Sequence, residues 1–431
     1  MSAAILFGSM AVMIGFGIPI AIVLGVSSAL TLIFSGAPLG VIPSMMQATV
    51  QKFSLLTIPL FVLAGAIMDK GGISKRLINL ADSIIGPVHG GLGYVAVVAA
   101  LFFAAISGSG TATVAAMGSI LIPAMVAQGY DAGFSSALSA ISGSLGTVIP
   151  PSITFIIYGM ITGESIGDLF LSGIVPGLIF GFMLCIMVFI KSKKNGWKGE
   201  TQRASLKEIG RLFLDTIWGL LSPVIVLGGI YSGLFTPTEA AAVAVVYSLI
   251  VGIFLYKELR LTELKETLFS TAKTTGMILL IIMNAGIFSW VLTQQGIAAS
   301  LTEMALALTD NRYIMLFIIN IVFLCAGCVM DNTSALYILV PIIMPIAKAL
   351  DINMIQLGVI LVLNLSIGQV TPPVGPNLYV AADIGKVKFE EICRRMVPLL
   401  LMSLLALLCI TYIPALSLCL IPSLAGNRRL R

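Results

Sequence analysis

Two oxygen-rich clusters stand out in an otherwise apolar chain: Ser107-Gly108-Ser109-Gly110-Thr111 and Asp331-Asn332-Thr333-Ser334. Each is followed by an interruption of an apolar run. The first is Ser144-Leu145-Gly146-Thr147-Val148-Ile149-Pro150-Pro151, and the second Ser366-Ile367-Gly368-Gln369-Val370-Thr371-Pro372-Pro373. Proline lacks an N–H and clashes with the preceding turn, so the shared Gly-x-Val-x-Pro-Pro pattern stops a helix. In hydrocarbon such a stop is tolerated only where protein or a cavity surrounds it. Unwound carbonyls and Ser or Thr hydroxyls are the ligands a hard monovalent cation such as Na⁺ takes. The N-terminus of a half-helix instead presents free N–H groups to an anion. Ser107, Ser109, Thr111, Gly146 and Thr147, with Pro150 in the break, fit one cation site. Asp331, Asn332, Thr333, Ser334, Gly368 and Val370, with Pro372, fit a second. Small residues also let membrane helices pack closely, which is the structural alternative for any one of them. Asp331 fits a cation ligand, a proton carrier or a helix N-cap.

The elements that must position these groups are membrane helices. Hydrophobic residues make up 58% of the 431 positions and charged residues 10%, against about 25% charge in soluble domains. Apolar runs long enough to span a bilayer recur along the chain, and the alternation of a β-barrel is missing. The net charge of +5 comes from basic residues in short loops beside apolar spans, so it is no nucleic-acid signature. An enzyme would need a polar constellation such as paired carboxylates or His with Cys. The single histidine, His89, is far from Cys325-x-x-Cys328 in sequence, and the six cysteines sit in or beside apolar segments. Neither an enzyme nor a metal centre other than Na⁺ is expected. Asp383 and Glu239 read as helix-end charges. Met1-Ser2-Ala3-Ala4 has no basic region, so no cleaved signal peptide is expected.

Read in order, residues 3–34 form two short spans or one tilted span around Gly15-Phe16-Gly17-Ile18-Pro19. A span over 52–69 leads into an amphipathic segment beginning Lys70-Gly71-Gly72. Two apolar arms flank the first cluster, then come the broken helix at 132–160 and a span at 168–190. The loop 191–212, with Lys198 and Arg203 among its charges, divides the chain. Spans over 214–233, 236–256 and 270–293, an interfacial segment at 294–310, the second cluster and break, and a last span at 396–424 complete it. A shift of 222 residues superposes Thr111 on Thr333, Pro123 on Pro345, Gly146 on Gly368, Pro150-Pro151 on Pro372-Pro373, and Pro176 on Pro398. This is an internal repeat, and paired interruptions in a repeat point to the binding site of a transporter. With loop 191–212 inside, Lys70, Lys75, Arg76, Lys257, Arg260, Lys265 and Lys386 to Arg395 also fall inside, if the first cluster tips a hairpin that does not cross. The second hairpin then enters from outside, so the repeats are inverted. The same count leaves Arg428, Arg429 and Arg431 outside, against the charge rule.

One further stretch, Phe235-Thr236-Pro237-Thr238-Glu239-Ala240-Ala241-Ala242-Val243, opens a span. Together with the clusters and breaks it resembles the large membrane subunit of tripartite ATP-independent periplasmic (TRAP) transporters, of the DctM type, over essentially the whole chain. The resemblance implies an all-α polytopic membrane protein of the bacterial inner membrane, with two re-entrant hairpins, two broken helices and an elevator-like division. On this chain that division gives scaffold helices and a first arm at 1–89, and a first transport half at 90–160. Scaffold and a second arm follow at 161–311, a second transport half at 312–385, and a last scaffold helix at 386–431. The resemblance further implies import of an organic acid such as a C4-dicarboxylate or sialic acid. Na⁺ is the coupling ion and no other cofactor is expected. The implied partners are a separate four-helix subunit of the DctQ type and a periplasmic binding protein of the DctP type. The substrate side of the site falls on Ser107, Gly108, Ser144, Asn332 and Gln369. The tips differ, Ser-Gly-Ser-Gly-Thr against Met-Asp-Asn-Thr-Ser, so the two cation sites need not be equivalent. A standalone Na⁺-coupled carrier of divalent anions shares the hairpin plan and is the competing expectation.

Overall fold

The computed structural model describes residues 2–197, 199 and 204–421. Lys198, Arg203, Arg428, Arg429 and Arg431, which entered the charge count above, lie outside the described residues. Among those described, nine helices are long and apolar enough to cross a membrane, and no strand occurs. The N-terminal run forms two short helices, Ser2–Gly15 and Ile20–Ser35. Gly17 at φ 73° and Pro19 separate them. A short helix, Val41–Val50, was not anticipated. The span expected at 396–424 is instead Phe389–Tyr412 followed by the turn Ala415–Leu418. Helix Ile166–Asn195 and helix Leu206–Tyr231 consume most of the loop expected at 191–212. Ser205 caps the second of these by accepting from the Glu208 N–H, so polar residues there extend a helix.

Two helical hairpins and two broken helices form the centre. The first hairpin has arms Gly91–Ser107 and Gly110–Ala127, turning at Gly108 with φ 60°. The second has arms Arg312–Val329 and Asn332–Ala349, turning at the extended pair Met330-Asp331. The first broken helix runs Ala132–Ser144, tightens to a 3₁₀ turn over Leu145–Thr147, and resumes as Ile153–Thr162. The second runs Met354–Gly368 and resumes as Pro376–Gly385. Both Pro-Pro bonds are cis.

Each hairpin packs on the first half of its own broken helix, while each second half crosses to the other repeat. Thus Ile153–Thr162 packs on Asn332–Ala349, and Pro376–Gly385 on Gly110–Ala127 and Ala132–Ser144. Backbone bonds pin tips to breaks: Ile153 N–H donates to the Gly108 carbonyl at 3.4 Å, and Val374 N–H to the Cys328 carbonyl at 3.1 Å. Phe103, Phe155 and Tyr158 are buried in this body, and the Tyr158 hydroxyl donates to the Met354 carbonyl at 2.6 Å. Helices Ile166–Asn195 and Phe389–Tyr412 pack along it as well.

The remaining long helices pack chiefly on one another. Leu261–Gln294 lies on Ile20–Ser35, Val41–Val50 and Thr57–Lys70, and Pro237–Ile250 lies on Thr57–Lys70. A capping box of Thr236 and Glu239, with Pro237 at the first position, starts Pro237–Ile250. The amphipathic helix Ile73–Ile85 bridges Gly91–Ser107 and Leu206–Tyr231. Its Arg76 pairs with Asp215 at 3.2 Å and Glu258 at 2.7 Å, and stacks over the Tyr256 ring at 3.9 Å.

Candidate functional site

A cavity of about 790 Å³ opens between the hairpin body and helices Thr57–Lys70 and Leu261–Gln294. Both tips and both breaks reach its wall. Ser107, Gly108, Ser109 and Thr111 come from the first tip, Thr147 from the first break, Asp331, Asn332 and Thr333 from the second tip, and Gln369 from the second break. The chain thus brings together in one space residues more than 200 positions apart. Ser144, Gly146, Pro150, Ser334, Gly368, Val370 and Pro372 are not part of the wall. Ser144 donates to the Ile141 carbonyl at 2.7 Å, and Ser334 to the Asp331 carboxylate at 2.5 Å, so both hydroxyls are already engaged. Gly146 and Gly368 press against the hairpins behind the wall. Pro150 and Val370 are buried, whereas Pro372 is exposed.

Four helices begin at this cavity. Gly110, Ile153, Asn332 and Pro376, each the first residue of its helix, all line it. Ser109, preceding the first of them, gives no side-chain cap, which leaves first-turn N–H groups of Gly110–Ala127 for a ligand. The first turn of Pro376–Gly385 is already bonded, Asn377 N–H to the Gln369 carbonyl and Leu378 N–H to that of Gly375. Asp331 accepts from the Ser334 N–H at 3.1 Å and therefore does cap its helix. It also lines the cavity, so the cap does not remove its charge from the space.

Helix C-termini arrive at the same place and contribute carbonyls and hydroxyls. Ser107 ends its helix, and its hydroxyl bonds Thr113 at 2.8 Å and accepts from the Ser109 N–H at 3.2 Å. The Thr147 hydroxyl bonds that of Ser366, joining the two breaks across the repeats. Gln369 also crosses over: a methyl on Gly110 would stand 2.3 Å from its Oε1, so a larger residue at the first tip would have to displace the Gln369 amide. Asn332 has both amide atoms buried and unpartnered. Buried polar groups are nearly always bonded, so an orphaned amide beside a cavity marks a place for a ligand.

The wall also holds residues that the sequence reading passed over. Asp69, Lys70 and Glu266 lie on it, as do Thr267, Ser270, Thr271 and Thr274. With Asp331, the space has three carboxylates to one ammonium. An anion entering it meets helix N-termini but a negative surround; an oxygen-coordinated cation balances both. The signal for the hydroxyls was a run of Ser and Thr inside an apolar span, which is ordinarily satisfied by the helix's own carbonyls.

Residues 7–416 match the family model of the tripartite ATP-independent periplasmic transporter, DctM component. The chain belongs to this family. It is 39% identical to the C4-dicarboxylate TRAP transporter large permease protein DctM of Rhodobacter capsulatus, over 99% of this chain and 100% of that one. It is 41% identical to the isethionate TRAP transporter permease protein DctMQ of Oleidesulfovibrio alaskensis, over 95% of this chain; the match spans 65% of that longer protein. The YdaH transporter of Alcanivorax borkumensis shares the fold, with a TM-score of 0.63 at 14% identity, over 85% of this chain and 86% of that one. This DctM chain is therefore a multi-pass integral membrane protein and a large permease component of a TRAP transporter. In bacteria that membrane is the inner one.

Proposed function

We propose that this DctM chain imports an organic acid anion, delivered by a periplasmic binding protein of the DctP type, together with Na⁺. A small four-helix subunit of the DctQ type completes the transporter. The observation that carries the reading is the convergence of four helix N-termini on a cavity that also holds three carboxylates. N–H groups and helix dipoles favour an anion, and the carboxylates, carbonyls and hydroxyls favour cations beside it. Each needs the other for charge balance, which is the physical basis of coupling. The two cation sites are assigned to the first tip with Thr147 and to the second tip with the Gly368 break. Gly146, Gly368 and Val370 act there through carbonyls.

The motion proposed is that of an elevator, with re-entrant hairpins and broken helices sliding as a body against the remaining helices. Packing supports a moving body larger than 90–160 and 312–385 alone, because Ile166–Asn195 and Phe389–Tyr412 are seated on it. Pro176 and Pro398 mark these two helices as repeat mates. Asp69, Lys70 and Glu266 in the wall lie beside the basic segments that the charge rule puts inside. The cavity accordingly reads as open to the cytoplasm. The relatives named above supply the substrate classes: C4-dicarboxylates and related small acids.

The test is uptake into proteoliposomes with the small subunit, the binding protein and an imposed Na⁺ gradient. Accumulation should require all of them. Equal uptake without Na⁺ would remove the coupling, and equal uptake without the binding protein would favour the standalone carrier.

A further inference from the structure

The side of the cavity facing the tips is a row of hydroxyls on Leu261–Gln294. Thr267, Ser270, Thr271 and Thr274 follow the i, i+3, i+4, i+7 spacing of one helix face, and all line the space. That spacing normally carries the apolar stripe of a packed helix. Serine and threonine in membrane helices generally close on the preceding turn, and this chain mostly obeys. Thr31 donates to the Ser27 carbonyl at 2.8 Å, Ser248 to Ala244 at 2.6 Å, Ser403 to Leu399 at 2.9 Å, and Thr267 itself to Glu263 at 2.8 Å. Ser270, Thr271 and Thr274 break the pattern. Ser270 and Thr274 are exposed to the cavity, while Thr271 is 8% exposed and its hydroxyl is buried with no partner. Leaving a buried hydroxyl unbonded costs stability unless something else occupies it.

We propose that this row is a second, stationary face of the substrate site, and that it selects acids whose carbon chain bears hydroxyl or carbonyl oxygens. The inference rests on the organic-acid reading above. The division of labour follows from charge: the helix N-termini and cations at the tips hold the ionised head, while the row, without a single cation of its own, suits uncharged oxygens. Size agrees, since 790 Å³ lies high in the range of about 300–1,000 Å³ for small-molecule sites. An unsubstituted four-carbon diacid leaves much of that space to water.

The test uses succinate, malate and tartrate, which share one skeleton and carry none, one and two hydroxyls. Binding to the purified complex of large and small subunits in Na⁺ is measured by thermal shift against concentration. Affinity should rise along the series on the order of three- to tenfold per hydroxyl, the usual worth of one hydrogen bond. Thr271→Val and the double variant Ser270→Ala/Thr274→Val should flatten the series while leaving succinate within about twofold. Thr271→Val should also leave the ligand-free protein at least as stable, since it deletes an unpartnered group. Thr293→Val, whose hydroxyl bonds the Ser289 carbonyl, is the control and should keep the series. Equal affinities across the wild-type series, or a series that survives both variants, would overturn the row's role. So would an equal loss for all three acids, which would mean a packing role. Failure of wild type to bind any of them in Na⁺ would instead strike the organic-acid reading and the inference with it.

Discussion

Gly368 and Gly327 pass each other with no side chain between them: a methyl on Gly368 would stand 2.5 Å from the Gly327 Cα. The repeat mate of Gly368 is equally confined, since a methyl on Gly146 would stand 2.6 Å from the Ser109 carbonyl oxygen. Both glycines are therefore spacers that hold a break against its hairpin tip. Gly368→Ala must push the second hairpin away, and overpacking of this kind costs about 1–3 kcal/mol. The expected outcome is a folded, membrane-inserted protein with lowered thermal stability and at least tenfold weaker Na⁺-driven uptake. Uptake at the wild-type rate would show that tip and break need not touch.

Asp331 allows its two roles to be separated. Its carboxylate caps Asn332–Ala349 through the Ser334 N–H, and it faces the cavity. Asn is as good an N-cap as Asp, so Asp331→Asn preserves the helix and removes only the charge. We expect near-wild-type thermal stability with a half-saturating Na⁺ concentration raised about tenfold, the equivalent of 1.4 kcal/mol. An unchanged Na⁺ dependence would reduce Asp331 to a cap.

Thr111 and Thr333 are repeat mates at the first turns of the two outbound hairpin arms, and both line the cavity. Thr111→Ala and Thr333→Ala should each weaken Na⁺ dependence while leaving expression and stability little changed. The effects need not match. Thr111 shares its tip with the Ser109 hydroxyl at 3.4 Å, whereas Thr333 follows the unpartnered amide of Asn332. Na⁺ titrations of uptake for both variants check this, and two unaltered titrations would move the cation sites elsewhere.

What could be read in advance was what glycine and proline punctuate. Gly108, Gly146, Gly368 and the Pro-Pro pairs interrupt apolar runs where nothing else would, and the shift linking Pro176 to Pro398 carries the repeat. The meeting of both tips and both breaks at one cavity follows from that plan. What stayed hidden depends on neighbours. Ser270, Thr271 and Thr274 resemble any back-bonded hydroxyls until their missing partners are seen. The seating of Phe389–Tyr412 on Ala132–Ser144 is likewise a matter of which apolar face meets which, and apolar faces look alike in one dimension. Helix ends were misplaced for another reason. Charged residues beside a span lower its hydropathy without ending its helix, as at Lys207, Glu208 and Arg211 and in Lys193-Lys194.

Arg76 gives a prediction about the helices that surround the hairpin body. It ties the amphipathic helix Ile73–Ile85 to Asp215 on Leu206–Tyr231 and to Glu258 beyond Pro237–Ile250, and it stacks on Tyr256. Its side chain is 16% exposed, yet Asp215 and Glu258 remain about half open to water. Breaking a fully buried pair costs about 3–5 kcal/mol, while exposed pairs are worth about 0–1 kcal/mol. Arg76→Ala should thus cost about 1–2 kcal/mol, including the lost stacking. Arg76→Lys should recover only part of this, because an ammonium cannot reach two carboxylates and lie flat on a ring together. The expected order of thermal stability is wild type, then Lys, then Ala. Na⁺ affinity should stay unchanged in both variants, since Arg76 does not line the cavity. A changed Na⁺ affinity with unaltered stability would show instead that this helix transmits the state of the cavity rather than anchoring the helices around it.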